Sequence, residues 1–186
     1  MSEQQKIIIG IAGEIGAGKG TVTSYLMQAY HAHNVRYSAI LQDILRRLDL
    51  PYNRENLALL AEALRTTFGQ DILSRALLGD IARADAHIIV VDGIRKKAEL
   101  DALRKHDGFV FLFVDADLRT RYERIHQRDE KADDASKTYE QFVADHARAA
   151  DREIPQLKQY ADIIIDNNHD YATTHKALDD AMAQLL

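Results

Sequence analysis

The stretch from Gly10 to Thr21, GIAGEIGAGKGT, holds five of the chain's nine glycines and a single lysine. Gly13, Gly18 and Lys19 fit the G-x-x-x-x-G-K spacing of a phosphate-binding (Walker A) loop. Small residues at Gly13, Gly16, Ala17, Gly18 and Gly20 let successive backbone N–H groups converge on phosphate oxygens. A helix starting behind them adds its positive N-terminal end. Lys19 then supplies a compact charge for the β- and γ-phosphates of a nucleotide such as ATP. The strict pattern has Ser or Thr directly after the lysine to ligate Mg²⁺, whereas here Gly20 intervenes and Thr21 follows.

Further along, Asp92 closes an apolar run and is followed by Gly93, Ile94 and Arg95. An acid at the end of a strand beside a phosphate loop holds Mg²⁺ directly or through water. Capping the next helix is the other role open to Asp92. Gly93 allows a tight exit that brings Arg95 back over the sheet edge. Arg121, Arg124 and Arg128 stand at i, i+3 and i+7, on one face of a helix from Leu118. Like charges in one stripe are mutually destabilising unless an anion or acidic neighbours balance them. A phosphate would do so; pairing with Glu123, Asp129 and Glu130 would do so as well. Arg148 and Arg152, at i and i+4, are spaced to close onto the same phosphates.

These residues need a scaffold. Short, continuous apolar runs at Lys6–Ile11, His87–Asp92, Phe109–Val114 and Asp162–Asp166 read as strands buried on both faces, with Val35–Ile40 a weaker fifth. Amphipathic segments of helical length lie between them, at Lys19–His33, Asp43–Leu48, Glu55–Phe68, Ile72–Ala84, Lys96–Lys105, Leu118–Gln127, Tyr139–Arg152 and Ala172–Leu185. Alternation of this kind predicts an α/β fold with a parallel sheet covered by helices on both faces. Three helices crowd between the second and third strands, so a helical subregion is expected outside the sheet over residues 41–84. Asp129–Lys137, DEKADDASK, has no large apolar residue and reads as a surface connection within a short lid over 124–152.

Composition narrows the classes. A chain of 186 residues with 46% hydrophobic and 28% charged residues is long enough for one cored domain and too apolar for a disordered one. The longest strongly apolar run, Phe109–Val114, is far too short to span a bilayer. MSEQQKIIIG lacks a signal-peptide pattern, so a cytoplasmic location is expected. With no cysteine there is no disulfide scaffold, thiol nucleophile or Cys-ligated metal. A net charge of −5 argues against a broad nucleic-acid surface while leaving room for a small anion site. His31 and His33, two apart on one helix, face different directions and make a poor metal pair.

The G-x-G-K-G-T form of the loop resembles the nucleoside monophosphate kinases. The resemblance extends to Leu41-Gln42-Asp43-Ile44-Leu45-Arg46, similar to that family's x-G-D-x-L-R segment with Gln42 in place of glycine. It also covers Asp92-Gly93-Ile94-Arg95, similar to D-G-x-x-R with one residue fewer, and R-x-x-x-R at Arg124 and Arg128. It implies that Mg²⁺ is held largely through waters with Thr21 near it. It further implies that Arg46 and Arg95 grip the acceptor phosphate and that Arg124 and Arg128 contact the transferring group. The carboxyl-terminal third resembles dephospho-CoA kinase, through Val114-Asp115-Ala116-Asp117 and Ala161-Asp162-Ile163-Ile164-Ile165-Asp166-Asn167-Asn168. That likeness implies an Asn near the adenine of ATP. Over nearly the whole chain, including Tyr52–Leu57 and Leu64-Arg65, the sequence is similar to archaeal and phage P-loop kinases.

The expectation is therefore a three-layer P-loop NTPase fold in one domain spanning residues 1–186, with a five-stranded parallel sheet, a helical acceptor-binding insertion and a short lid. The expected activity is Mg²⁺–ATP-dependent phosphoryl transfer to a nucleoside or deoxynucleoside monophosphate. Lys19, Arg95, Arg124 and Arg128 are the expected catalytic residues, and Thr21 and Asp92 surround the metal. Asp43, Arg46, Arg95, Arg148 and Arg152 form the acceptor side. Two alternatives stand beside it: a dephospho-CoA kinase, whose hydroxyl acceptor needs a base such as Asp43, and a non-catalytic NTP-binding regulator. The expected partner is a small-molecule phosphate acceptor, with no nucleic acid and no membrane, and the chain is expected as a monomer or homodimer.

Overall fold

The computed structural model describes residues 5–127, 138–145 and 152–186. Five strands form one parallel sheet in the order β2-β3-β1-β4-β5: β1 (Ile7–Ala12), β2 (His33–Arg36), β3 (Ile88–Asp92), β4 (Phe109–Asp115) and β5 (Ile163–Asp166). Because the side chains of a strand alternate, each run feeds two cores. Ile9, Ile11, Val90, Leu112 and Val114 point to one face, under α1 (Lys19–Tyr30) and α9 (Tyr171–Met182). Ile8, Ile89, Val91, Phe111 and Phe113 point to the other, under α2 (Tyr37–Arg47), α3 (Arg54–Phe68), α4 (Ile72–Arg83) and α5 (Lys97–Leu103). This is the P-loop NTPase fold expected from the alternation of strands and helices.

Gly10 shows how tightly the second face packs. A Cβ there would stand 2.6 Å from the Phe109 ring and 2.7 Å from Ile94 Cδ1. The missing side chain is the space those two residues fill, which is the close packing expected of a protein interior.

Several expected elements are different, among them α1, which stops at Tyr30, so that His31 caps it and His33 belongs to β2 rather than to the same helix. The run Val35–Ile40 is not a strand throughout: β2 ends at Arg36 and α2 starts at Tyr37, six residues before the expected helix. Tyr37, Leu41 and Leu45 recur at the helical i, i+4 interval and are all buried. Tyr37 also shares a hydrogen bond with Ser74 of α4, 2.9 Å between the oxygens. Packing of α2 against α3 and α4 outweighs the local β-branched pattern.

The helix expected over Tyr139–Arg152 is α7 (Tyr139–Asp145) in its described part, and Arg152 sits in a turn before α8 (Ile154–Leu157). Arg128, Arg148 and the connection 129–137 lie outside the described residues. Helix α6 spans Leu118–Gln127, as its sequence pattern predicts.

Candidate active site

The parallel register brings the C-terminal ends of the strands to one edge: Ile11 lies opposite Asp92, Ala12 opposite Phe113, Arg36 opposite Asp92, and Asp115 opposite Asp166. The glycine-rich loop leaves this edge from its central strand, where the strand order reverses and open parallel sheets bind their ligands. Gly16 and Gly18 take φ values of +79° and +96°, which L side chains rarely adopt. Both also press on protein: a Cβ at Gly16 would meet the Arg121 carbonyl oxygen at 2.6 Å, and one at Gly18 would meet Asn167 Nδ2 at 2.1 Å.

The opposite side of the loop is open. Gly18 caps α1 with no side-chain hydrogen bond, and a Cβ on Gly20 would find nothing within 4 Å. Lys19 Nζ reaches back to donate to the carbonyl oxygens of Gly13 (2.6 Å) and Glu14 (3.1 Å). Thr21 is half-buried in the first turn of α1. Past Gly20 and Thr21, an open groove of about 490 Å³ runs between α1 and α9, lined also by Tyr25, Tyr171 and His175. The Tyr25 and His175 rings stack there at 3.9 Å.

Three of the buried polar side chains, Arg121, Asn167 and Thr174, stand behind the loop. Arg121 Nε donates to the Ala116 carbonyl at 3.0 Å, and its Nη1 lies 3.1 Å from Glu14 Oε1. Arg124 donates to the carbonyl oxygens of Asn167 (2.7 Å) and Ala17 (3.4 Å). Asn167 Nδ2 donates to the same Ala17 oxygen at 2.7 Å, and its Oδ1 accepts from Thr174 Oγ1 at 2.8 Å. The arginine stripe read from α6 is therefore divided. Arg121 is neutralised inside the protein by Glu14, Arg124 braces the loop, and Glu123 pairs with Arg119 instead. The sequence did hold a signal for Glu14: an acid inside an anion cradle needs a cation of its own.

Three carboxylates line the strand ends. Asp115 is paired with Lys158 Nζ at 2.6 Å. Asp166 accepts from the Asn168 backbone at 3.0 Å, and that hydrogen bond leads the causes holding its carboxyl below the ordinary range. Asp92 faces a more distant partner, Arg36 Nε at 3.8 Å. Asp92 carboxylate and Thr21 hydroxyl are hard oxygen donors of the kind Mg²⁺ takes alongside water and phosphate oxygens. Among the described residues no group of three or more His, Asp or Glu could hold a metal by itself.

On the second face, Arg46 Nη2 and Asp43 Oδ1 pair with each other at 2.9 Å on the exposed surface of α2. Arg95 is exposed in the turn after β3, and its backbone N–H donates to Glu99 Oε2 at 3.0 Å. Arg152 adjoins Glu153, whose Oε2 accepts from the Lys97 N–H at 3.2 Å, so that segment lies against the start of α5, two residues beyond Arg95. Glu99 itself escapes a search by motif; its one local signal is the capping-box spacing to Lys96.

The AAA domain family matches residues 9–156 of the chain. A UPF0200 protein of Hyperthermus butylicus is 32% identical over 76% of the chain and 75% of its own length. Among solved structures, TT1252 of Thermus thermophilus superposes with a TM-score of 0.68 at 20% identity, covering 98% of this chain and 99% of that one. Shikimate kinase of Bacteroides thetaiotaomicron superposes with a TM-score of 0.64 at 14% identity, covering 96% and 98%. Among the described residues no helix is long and apolar enough to cross a membrane.

Proposed function

The chain belongs to the AAA domain family and to the UPF0200 family, and we propose that it transfers the terminal phosphoryl group of ATP to a small phosphorylated acceptor, foremost a nucleoside or deoxynucleoside monophosphate. One observation carries this reading. The loop is closed behind by Arg121 and Asn167 and open in front at Gly20 and Thr21, where no side chain caps the start of α1. That is a cradle for an anion, and the strand end beside it carries Asp92 and leads to Arg95. Sharing of the fold with a shikimate kinase supports a small-molecule acceptor.

In this reading Lys19 exchanges the carbonyl oxygens of Gly13 and Glu14 for the β- and γ-phosphates. The loop amides and the start of α1 hold the remaining phosphate oxygens. Thr21 and Asp92 would hold Mg²⁺, which supplies charge neutralisation on the phosphates. The groove beyond Thr21 takes the nucleoside end of the donor. Arg95 holds the acceptor phosphate, joined by Arg46 once it leaves Asp43, and Arg152 closes from the turn beside α5. Arg124 acts through the loop it braces; Arg128 and Arg148 supply further positive charge from the lid over 124–152. A monophosphate has its second pKa near ~6, so its oxygen is already nucleophilic at neutral pH and no general base is required. Positioning and charge neutralisation then do the catalytic work.

The test is ADP release from Mg²⁺–ATP against a panel of ribo- and deoxyribonucleoside monophosphates and dephospho-CoA. Turnover with a monophosphate is the expected result. Turnover with dephospho-CoA alone, abolished by Asp43→Asn, would replace this acceptor with a hydroxyl and make Asp43 the base. ATP binding without transfer to any acceptor would overturn the kinase reading in favour of an NTP-binding regulator.

A further inference from the structure

Glu99, 1% exposed, is the most deeply buried ionisable side chain among the described residues. Its Oε2 accepts from the backbone N–H groups of Arg95 (3.0 Å) and Lys96 (3.3 Å), and its Oε1 receives Arg65 Nη2 at 2.5 Å. Arg65 comes from α3, 34 positions away in sequence, and its side chain is only 11% exposed. Arg65 Nε is buried without a hydrogen-bond partner. The Tyr37 hydroxyl shares this low-dielectric region: burial and then the Glu99 charge push its pKa up. Arg65 of α3 thus reaches the carboxylate that shapes the exit from β3, while the Tyr37 hydroxyl of α2, bonded to Ser74 of α4, feels its charge.

A buried ion pair is a poor device for stability, because desolvation of both charges consumes most of the attraction, and apolar residues of the same volume often do as well. Two directional bonds to consecutive backbone amides do something an apolar pair cannot. They fix the backbone of residues 95 and 96, and with it the origin of the Arg95 side chain, relative to α5, and Arg65 ties that anchor to α3.

We propose that Glu99 and Arg65 are positioning residues for Arg95, coupling helix α3 to the turn that presents Arg95 to the acceptor phosphate. The proposal rests on the reading of Arg95 as the acceptor grip. Without the pair, the turn keeps its sequence and loses its aim. A displacement near 1 Å can cost about a hundredfold in rate.

The experiment compares the wild type with Arg95→Ala, Glu99→Gln and the double apolar variant Arg65→Met/Glu99→Leu. Four readouts are taken: the acceptor KM, the ATP KM, the melting temperature, and amide hydrogen exchange over residues 93–99. The double variant is expected to melt near the wild type. Its acceptor KM rises about tenfold or more, its ATP KM stays within about twofold, and exchange at 95 and 96 accelerates while the phosphate loop is unchanged. Glu99→Gln, which strands a buried guanidinium, shows the same KM split together with lost stability. An unchanged acceptor KM in the double variant, with a raised one in Arg95→Ala, overturns the role of the pair and leaves the acceptor reading standing. Equal rises in both KM values reduce the pair to a fold contact and overturn the proposal too. An Arg95→Ala variant with wild-type kinetics, or no transfer to any acceptor, overturns the acceptor reading and the positioning role together.

Discussion

Asn167 donates its side-chain amide to the carbonyl oxygen of Ala17 at 2.7 Å, joining the loop after β5 to the phosphate loop across 150 residues of chain. The amide is buried and oriented from its other end, where Oδ1 accepts from Thr174. Asn167→Ala should therefore cost about 1–3 kcal/mol in urea unfolding, the cost of leaving a buried polar group unpaired. Asn167→Asp should cost more than the alanine variant, since it turns an acceptor oxygen toward the Ala17 carbonyl. An aspartate variant as stable as the wild type would show that the amide points the other way.

Gly18 and Gly20, two positions apart in the same loop, should respond oppositely to alanine. Gly18→Ala forces a side chain into φ +96° and against Asn167 Nδ2, so destabilisation of about 1–3 kcal/mol is expected. Gly20→Ala adds a Cβ to open space on the first turn of α1 and should raise stability by about 0.5–1 kcal/mol through helix propensity. Denaturant midpoints of the two variants check this.

Lys19→Met should separate fold from function. Its ammonium contacts two carbonyl oxygens at the loop surface, so the melting temperature should move little. Phosphoryl transfer should fall by about 10²–10³, the scale of removing one pre-placed stabiliser of developing charge. A variant that transfers at the wild-type rate would exclude this loop as the donor site.

Asp179 sets a pH window for stability. Hydrogen bonds first from Tyr30 and then from Tyr25, each 2.7 Å long, hold its carboxyl below the ordinary range. The Tyr30 hydroxyl is pushed up to about 12 by the same bond. A lowered carboxyl pKa stabilises above the unfolded value near ~4, and that contribution is lost as pH falls through the folded value. A raised phenol pKa stabilises below ~10 and is lost as pH rises through the folded value. The difference in melting temperature between wild type and Asp179→Asn should be flat near neutral pH and shrink at both extremes. A difference that persists at low pH would show that the carboxylate is not held by these tyrosines.

Much of the scaffold was legible because its signals are local. The β-branched runs at Ile7–Ala12, Ile88–Asp92 and Phe109–Asp115 announce strands buried on both faces, and α6 follows its apolar period from Leu118 to Gln127. Val35–Ile40 misled because a run this short carries either period. Burial of Tyr37 beside Ser74 selected the helix. In the site, the Asp43 and Arg46 pairing follows from i, i+3 spacing on a helix, whereas the resemblance to a kinase segment implies a grip on the acceptor phosphate for Arg46.

The sequence by itself determined the phosphate loop, since glycines and a lysine at fixed spacing dictate backbone conformation and charge within a dozen residues, and it determined the alternation that yields a parallel sheet. Only the tertiary structure decided which arginine serves whom. Arg121 went to Glu14, Arg124 to Ala17 and Asn167, and Arg65 to Glu99. Those choices depend on which elements pack together and on the cost of leaving a charge unpaired in a low-dielectric interior. No local spacing encodes either quantity.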